Sequence, residues 1–366
     1  MKALHFGAGK VGRGIVTLHL IDSDYSVIFV DVNEDLIDEL NQEGYYNVID
    51  SEGKLTVING IRAIDSYTHQ DQLDVQFQFT DLITTSVSLN VLAHIAVDIV
   101  EGLETRIESK AQFPLLIMVI QGSSDFLEKE IKKNASPDLL KFMDNWVDFS
   151  NTLVDRIIMS EDDLNVQLNS NYEWLIEEKY LKHKYHPIDE VEYVYDLVPY
   201  IERNHYTENI GKISLSYLDY HKQYDHLYEC FENETISHLV NATLKETGDL
   251  LEKKYGLENN VQKNFISRSI DRLKIPNLFE LVNDPIRDIK CLVKPAQEYV
   301  EAFNAIPHAL CRVIASVLMC DQERLKFMIN DLGVEKTLQE LTGIEDYTIL
   351  FEEIIKSYER IQKSTD

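Results

Sequence analysis

The stretch Ala3-Leu-His-Phe-Gly7-Ala-Gly9-Lys-Val-Gly12-Arg-Gly14 decides how the first half of this chain folds. Ala3–Phe6 is a short apolar run of strand character. Past the glycines, Ile15, Val16, Leu18 and Leu20 recur at helical spacing. The glycine-rich segment therefore reads as a strand-to-helix turn. A second β-branched and aromatic run, Tyr25 to Val30, ends at Asp31, nineteen residues after Gly12. This is the context that a dinucleotide fingerprint requires. Gly7 allows the tight turn, Gly9 lets the backbone approach a pyrophosphate, and Gly12 permits close packing of helix on strand. The helix N-terminus offers free N–H groups to phosphate. Asp31 suits the adenine ribose hydroxyls and repels a 2′-phosphate. No arginine follows it (Val32, Asn33), so NAD is expected over NADP. The bland alternative is a glycine turn with no ligand.

Outward from this turn, strand and helix signals keep alternating. Glu34 to Asn41 and Leu89 to Glu108 read as helices, and Leu82–Val87 and Leu115–Ile120 as buried strands. Leu55–Ile64 is β-branched around an Asn59-Gly60 turn. Such alternation implies a parallel sheet covered on both faces. Near residue 196 the character changes and helical periodicity takes over. Thr235 to Lys254, with its basic last turn and Gly256 stop, is one predicted helix; His308–Asn330, Glu335–Leu341 and Thr348–Gln362 are others. The expected fold is α/β: a Rossmann-type doubly wound N-terminal domain over 1–196 and a mostly α-helical C-terminal domain over 197–366. The tyrosine-rich stretch from Asn171 to Tyr228 reads as amphipathic packing between them.

With 366 residues, two domains is the default. The net charge of −28 disfavours nucleic acid and anionic membrane surfaces as partners, while leaving room for one small anion in a local basic pocket. No apolar run approaches a membrane span, and no leader pattern opens the sequence, so a cytoplasmic protein is expected. Cys230, Cys291, Cys311 and Cys320 form no CxxC pair and read as reduced, mostly core thiols. His221, Asp225 and His226 are discounted as a metal site, because a spacing of five separates the histidines on a helix; no metal is expected.

Several longer stretches carry a family resemblance. The opening Met1–Gly14, Phe29-Val-Asp-Val-Asn-Glu34, Asp81-Leu-Ile-Thr-Thr-Ser-Val87, Asn151-Thr-Leu-Val-Asp155-Arg156-Ile, Glu173-Trp174 and Asp196-Leu-Val-Pro-Tyr-Ile-Glu-Arg203 resemble, in order, the mannitol-1-phosphate 5-dehydrogenase family of polyol-specific long-chain dehydrogenases. The resemblance is specific in combination over residues 1 to 212 and faint beyond. It extends the cofactor set to Gly7, Ala8, Gly9, Lys10, Val11, Gly12, Asp31, Asn33 and Thr85. It also implies a metal-free polyol site, a small phosphorylated sugar or polyol as partner, and a monomer.

The family's chemistry uses a lysine acid/base in a K-x4-N-x2-H pattern, with two asparagines and the histidine holding the substrate oxygen. The matching stretch here is Asn204-His-Tyr-Thr-Glu-Asn209-Ile-Gly-Lys212. The lysine position holds Asn204, the asparagine is kept as Asn209, and the histidine position holds Lys212. The other asparagine position, after the central strand, aligns with Gly122. An amide cannot take a hydroxyl proton near neutral pH, and losing a general base costs about 10²–10⁴ in rate.

Lys212 lies eight residues past Asn204, about 80° around an ideal helix. It reads either as a displaced base, as an anion ligand, or as a surface lysine. His205 points about 100° from Asn204; it is a substrate-side candidate or a structural histidine. Arg203, Arg287, Lys290 and Lys294 form a candidate anion pocket, each with an ordinary salt bridge as the alternative. Asp155-Arg156 reads as packing. The function expected is NAD-linked hydride transfer on a sugar phosphate or polyol/ketose; the alternative is a catalytically silent NAD- or ligand-binding homologue with a sensing or partner-binding role.

Overall fold

A computed structural model describes residues 1–120, 123–162, 164–218, 227–275, 284–346 and 348–365. They divide into two compact units, Met1–Leu197 and Val198–Asp366.

The first unit holds strands β1 (Lys2–Phe6), β2 (Ser26–Asp31), β3 (Tyr45–Ile49), β4 (Leu55–Asn59), β5 (Arg62–Asp65), β6 (Leu82–Thr85), β7 (Leu115–Val119), β8 (Val147–Asp162), β9 (Asn165–Glu177) and β10 (Glu192–Val194). Its helices are α1 (Thr17–Asp22), α2 (Glu34–Glu43), α3 (Gln70–Phe77), α4 (Leu89–Glu108), α5 (Ser124–Asn134) and α6 (Pro137–Trp146). The sheet runs β4-β3-β9-β8-β7-β6-β1-β2-β5, with β10 beside β9. From β8 to β5 every neighbouring pair is parallel, as the apolar strands lead one to expect. β7 is buried along its whole length. Strand order reverses at β1, flanked by β2 and β6, so the crevice at the carboxyl ends of these strands is the place where such sheets take ligands.

The antiparallel part was not legible in the sequence. β8 and β9 form a long hairpin with irregular register between Arg156 and Ser160. β3 and β4 pair antiparallel as well. The Asn59-Gly60 turn does not close a hairpin. With Gly60 at φ +75°, it passes the chain from β4 at one edge of the sheet to β5 at the other, so the sheet curls back on itself. The helix after the glycine loop packs inside that curl: a Cβ on Gly14 would stand 2.9 Å from Val166 and 2.8 Å from Leu168 of β9.

The second unit is helical: α7 (Val198–Asn204), α8 (Ile210–Leu218), α9 (Glu234–Tyr255), α10 (Asn259–Leu273), α11 (Pro285–Phe303), α12 (His308–Leu318), α13 (Glu323–Leu332), α14 (Val334–Thr342) and α15 (Ile349–Thr365). One core of fully buried aliphatics, among them Leu244, Leu251, Leu292, Leu310, Ile314 and Ile354, joins α8 to α15. Tyr206 and Tyr217, from the tyrosine-rich stretch, bury in the same core. The expected helix over 308–330 is two helices. The break falls at Met319–Gln322, where Gln322 accepts from the Leu325 N–H and restarts the chain as a cap. α9 ends as read, with Gly256 left-handed at φ +67°. Cys230, Cys311 and Cys320 are buried and Cys291 half-buried, all as free thiols. Among the described residues, no helix is long and apolar enough to cross a membrane.

Candidate functional site

The glycine loop sits at the carboxyl end of β1. Gly7 is left-handed at φ +102°, and its N–H bonds the Val30 carbonyl at 2.8 Å. Asp31 ends β2 and closes over the loop. Its Oδ2 accepts from the Ala8 N–H at 2.6 Å, and its Oδ1 accepts from Val32 and Asn33. Asn33 caps α2 through the Leu36 N–H, so two acidic residues, Glu34 and Asp35, start that helix. Gly9 and Lys10 are exposed, and a Cβ on Gly9 would meet nothing within 4 Å. The open cradle at Gly9, the helix start behind it and the carboxylate at Asp31 fit a dinucleotide pyrophosphate and ribose.

Behind the loop the packing is tight. A Cβ on Gly12 would run into the Gly7 carbonyl oxygen and the His5 ring. His5, inside β1, is wholly buried and bonds Thr84 Oγ1 at 2.6 Å through Nδ1 and Ser86 Oγ at 2.9 Å through Nε2. Burial holds its pKa down at about 3, against a smaller raising effect of the Gly7 backbone. Arg13 is also buried, and its Nε donates to the Ala8 carbonyl at 2.8 Å. Thr85 is buried at the end of β6, opposite Phe6. His5, Arg13 and Ser86 were missed as loop supports. The available signals were a histidine inside an apolar strand and a serine just past a threonine pair.

Gly12–Val16 forms a π-helical turn, widened by one residue relative to an α-helix. A second π turn spans His205–Asn209, between α7 and α8. π turns are rare and favour functional sites. These two fall on the cofactor loop and on the stretch matching the family's catalytic pattern.

The second π turn corrects the geometry expected for Lys212. One inserted residue turns the downstream face back by about 100°, so Lys212 falls within about 20° of Asn204 instead of about 80° away. Its side chain leans back up the helix to Glu208, with Nζ 2.8 Å from Oε1. Arg272 of α10, almost wholly buried, takes Oε2 at 3.0 Å. Asn209 and His205 are exposed, and Asn209 Nδ2 lies 2.7 Å from His205 Nδ1. Asn204 is half-buried.

The basic residues of the candidate anion pocket do not converge. Arg203 is buried, with its guanidinium 4.1 Å from the Phe265 ring centre. Arg287 pairs with its neighbour Asp288 at 3.1 Å. Lys294 sits about two turns further along α11, seven residues or about 10 Å from Arg287. Its ammonium joins Glu202 at 2.9 Å. Lys290 is exposed on the same helix. Glu202 also accepts from Lys254 and Tyr255, both at 2.7 Å. Burial alone would raise the Glu202 pKa, but hydrogen bonds from Lys254, Tyr255 and Lys294 outweigh it and bring it to about 2. Gly122, His221, Asp225 and His226 lie outside the described residues, as does the side chain of Arg156. Among the described residues, no cluster of three or more His, Cys, Asp or Glu side chains could hold a metal ion.

A doubly wound sheet with a glycine turn at its switch point and an acidic residue ending β2 defines a dinucleotide-binding oxidoreductase fold of NAD type. Residues 1–190 match the mannitol dehydrogenase Rossmann domain. The mannitol-1-phosphate 5-dehydrogenase of Bacillus subtilis is 34% identical, over 97% of this chain and 99% of its own. That of Geobacillus stearothermophilus is 32% identical, over 98% and 96%. Among solved structures, a D-sorbitol dehydrogenase superposes with TM-score 0.83 at 13% identity, covering 99% of this chain and 93% of that one. Pseudomonas fluorescens mannitol 2-dehydrogenase, in complex with NAD and D-mannitol, gives 0.66 at 14% identity, covering 100% and 91%. The chain belongs to the mannitol dehydrogenase family, as a divergent member of its mannitol-1-phosphate 5-dehydrogenase group.

Proposed function

We propose that this chain is an NAD-linked oxidoreductase that interconverts a phosphorylated sugar or polyol and its ketose. The observation that carries the reading is the intact cofactor cradle: left-handed Gly7, open Gly9, close-packed Gly12 and the Asp31 carboxylate at the end of β2. The near full-length match to relatives named for mannitol 1-phosphate supports the substrate class.

In this reading the backbone N–H groups of Gly9 to Gly12 hold the pyrophosphate, with Gly7 and Ala8 tied to Val30 and Asp31 behind them, and Asp31 holds the adenine ribose. Lys10, Val11, Asn33 and Thr85 border that site. Bound NAD supplies the hydride acceptor or donor. The protein must then hold the substrate oxygen and move one proton. Asn209 holds the oxygen through its amide N–H. Asn204 cannot exchange a proton near neutral pH, so Lys212 is the acid/base group, with Glu208 steadying its ammonium. Of the substrate-side candidates Arg203, His205, Arg287 and Lys294, only His205 stays in this reading, because Arg203 is buried against Phe265 and Arg287 and Lys294 pair with Asp288 and Glu202.

Asn204 in place of the family lysine favours one second reading, a silent NAD-binding homologue. NADH binding followed by NADH oxidation with fructose 6-phosphate, wild type beside Asn204→Lys, separates the two. Turnover by the wild type supports the enzyme. Turnover by the variant alone supports the silent binder. A chain that binds no NADH overturns both.

A further inference from the structure

Of the four positions that hold and protonate the substrate oxygen in the family pattern, only Asn209 is kept, and the histidine position holds Lys212. Yet the π turn carries a histidine of its own. His205 begins the turn and Asn209 ends it. An amide nitrogen only donates hydrogen bonds, so at 2.7 Å the Asn209 Nδ2–H donates to His205 Nδ1. An Nδ1 that accepts carries no proton. The neutral ring therefore holds its single proton on Nε2. The same amide has a second N–H that His205 does not use. Both residues are exposed, so the turn offers two N–H donors side by side.

We propose that His205 Nε2–H, with its tautomer fixed by Asn209, binds the carbonyl or alkoxide oxygen of the substrate, doing the work of the histidine that Lys212 has displaced. This rests on the oxidoreductase reading above. A neutral imidazole donor suits an oxygen that gains negative charge, because it stabilises the charge without surrendering its own proton. The charged groups that bear on His205 are Lys294 of α11 and Glu202 of α7. Desolvation lowers its pKa from the ordinary histidine value, the Lys294 ammonium lowers it further, and Glu202 opposes them. The lowered pKa favours the neutral ring. His205 is the catalytic residue here, and Asn209 both touches the oxygen and positions the ring.

The test is nitrogen-resolved histidine NMR of the full-length chain, with the His205 resonances assigned by their loss in His205→Gln. The wild type should show the Nε2–H tautomer at pH 7. Asn209→Asp replaces the donor with an acceptor and should move the proton to Nδ1. In NADH oxidation with fructose 6-phosphate, His205→Gln should lose about 10²–10³-fold in kcat while its NADH affinity is unchanged. An Nδ1–H tautomer in the wild type, a tautomer indifferent to Asn209→Asp, or undiminished turnover by His205→Gln overturns the proposal. Failure of the wild type to bind NADH or turn over any ketose instead overturns the oxidoreductase reading, and this one with it.

Discussion

Lys212 Nζ lies 2.8 Å from Glu208 Oε1, one turn back along the same helix, and the opposite oxygen of that carboxylate belongs to Arg272. The pair fixes where the lysine's proton sits before reaction. Lys212→Met should lower ketose reduction by about 10²–10⁴ without changing NADH affinity. Lys212→Arg keeps the ion pair but cannot release a proton near neutral pH, so it should be as inactive. Steady-state rates beside an NADH fluorescence titration check both. An active Lys212→Arg would show that the position serves charge alone.

Glu208 should matter more for stability than Lys212. Its carboxylate is shared by a lysine with 19% side-chain exposure and an arginine with 4%. Removing it from a nearly dry arginine should cost about 3 kcal/mol. Losing the more exposed partner in Lys212→Met should cost at most about 1 kcal/mol. Urea midpoints of the two variants give the comparison, and equal losses would contradict it.

The glycines of the loop should separate folding from cofactor binding. Gly12→Ala places a methyl group against the Gly7 carbonyl and the His5 ring, and a backbone carbonyl cannot swing aside. It should destabilise the first unit by about 1–3 kcal/mol. Gly9→Ala has open space around it and should melt as the wild type does, but its methyl fills the cradle and should weaken NADH binding. Thermal melts and NADH titrations of both variants decide the point.

His5 makes the folded state sensitive to mild acid. Its pKa is about 3 in the fold against 6.5 in the unfolded chain. Between those values the unfolded chain binds a proton that the folded chain refuses, so stability falls as pH drops below 6.5. The contribution amounts to about 1.4 kcal/mol per pH unit. Glu202 works in a different window: its depressed pKa makes its contribution vanish only below the ordinary carboxylate range. Urea denaturation of wild type and His5→Gln at pH 7, 6 and 5 should give a flatter dependence for the variant. Parallel curves would refute the role of His5.

The cofactor half of the site was legible because its chemistry is written in consecutive residues. Gly7, Gly9, Gly12 and Asp31 are needed for backbone reasons that any neighbour would impose, and their spacing is set by one turn of one motif. What lies beneath the loop was not legible. His5 meets Gly12 through folding, and nothing between residues 5 and 12 says that the ring faces inward. The β8–β9 hairpin was missed because its pairing is irregular and its residues do not alternate cleanly. The break at Met319–Gln322 was missed because periodicity resumes after it almost in step, and only the cap at Gln322 marks it. For the catalytic stretch, the residue types were readable and their phase was not. Helical spacing alone places Lys212 about 80° from Asn204, and the π turn that lies between them changes that phase.

That turn acts as a ratchet. Tyr206 lies within it, and Ile210, Ile213 and Tyr217 follow it, all sunk in one core. Deleting a single residue from 205–209 would restore a regular helix and rotate everything downstream by about 100°. Ile210, Ile213 and Tyr217 would swing out of the core together. A one-residue insertion that is simple to absorb on an exposed face thus becomes hard to reverse once the buried side has packed around it. Exchanging His205, Asn209 or Lys212 one at a time leaves that packing untouched, whereas removing the widened turn between Asn204 and Lys212 does not.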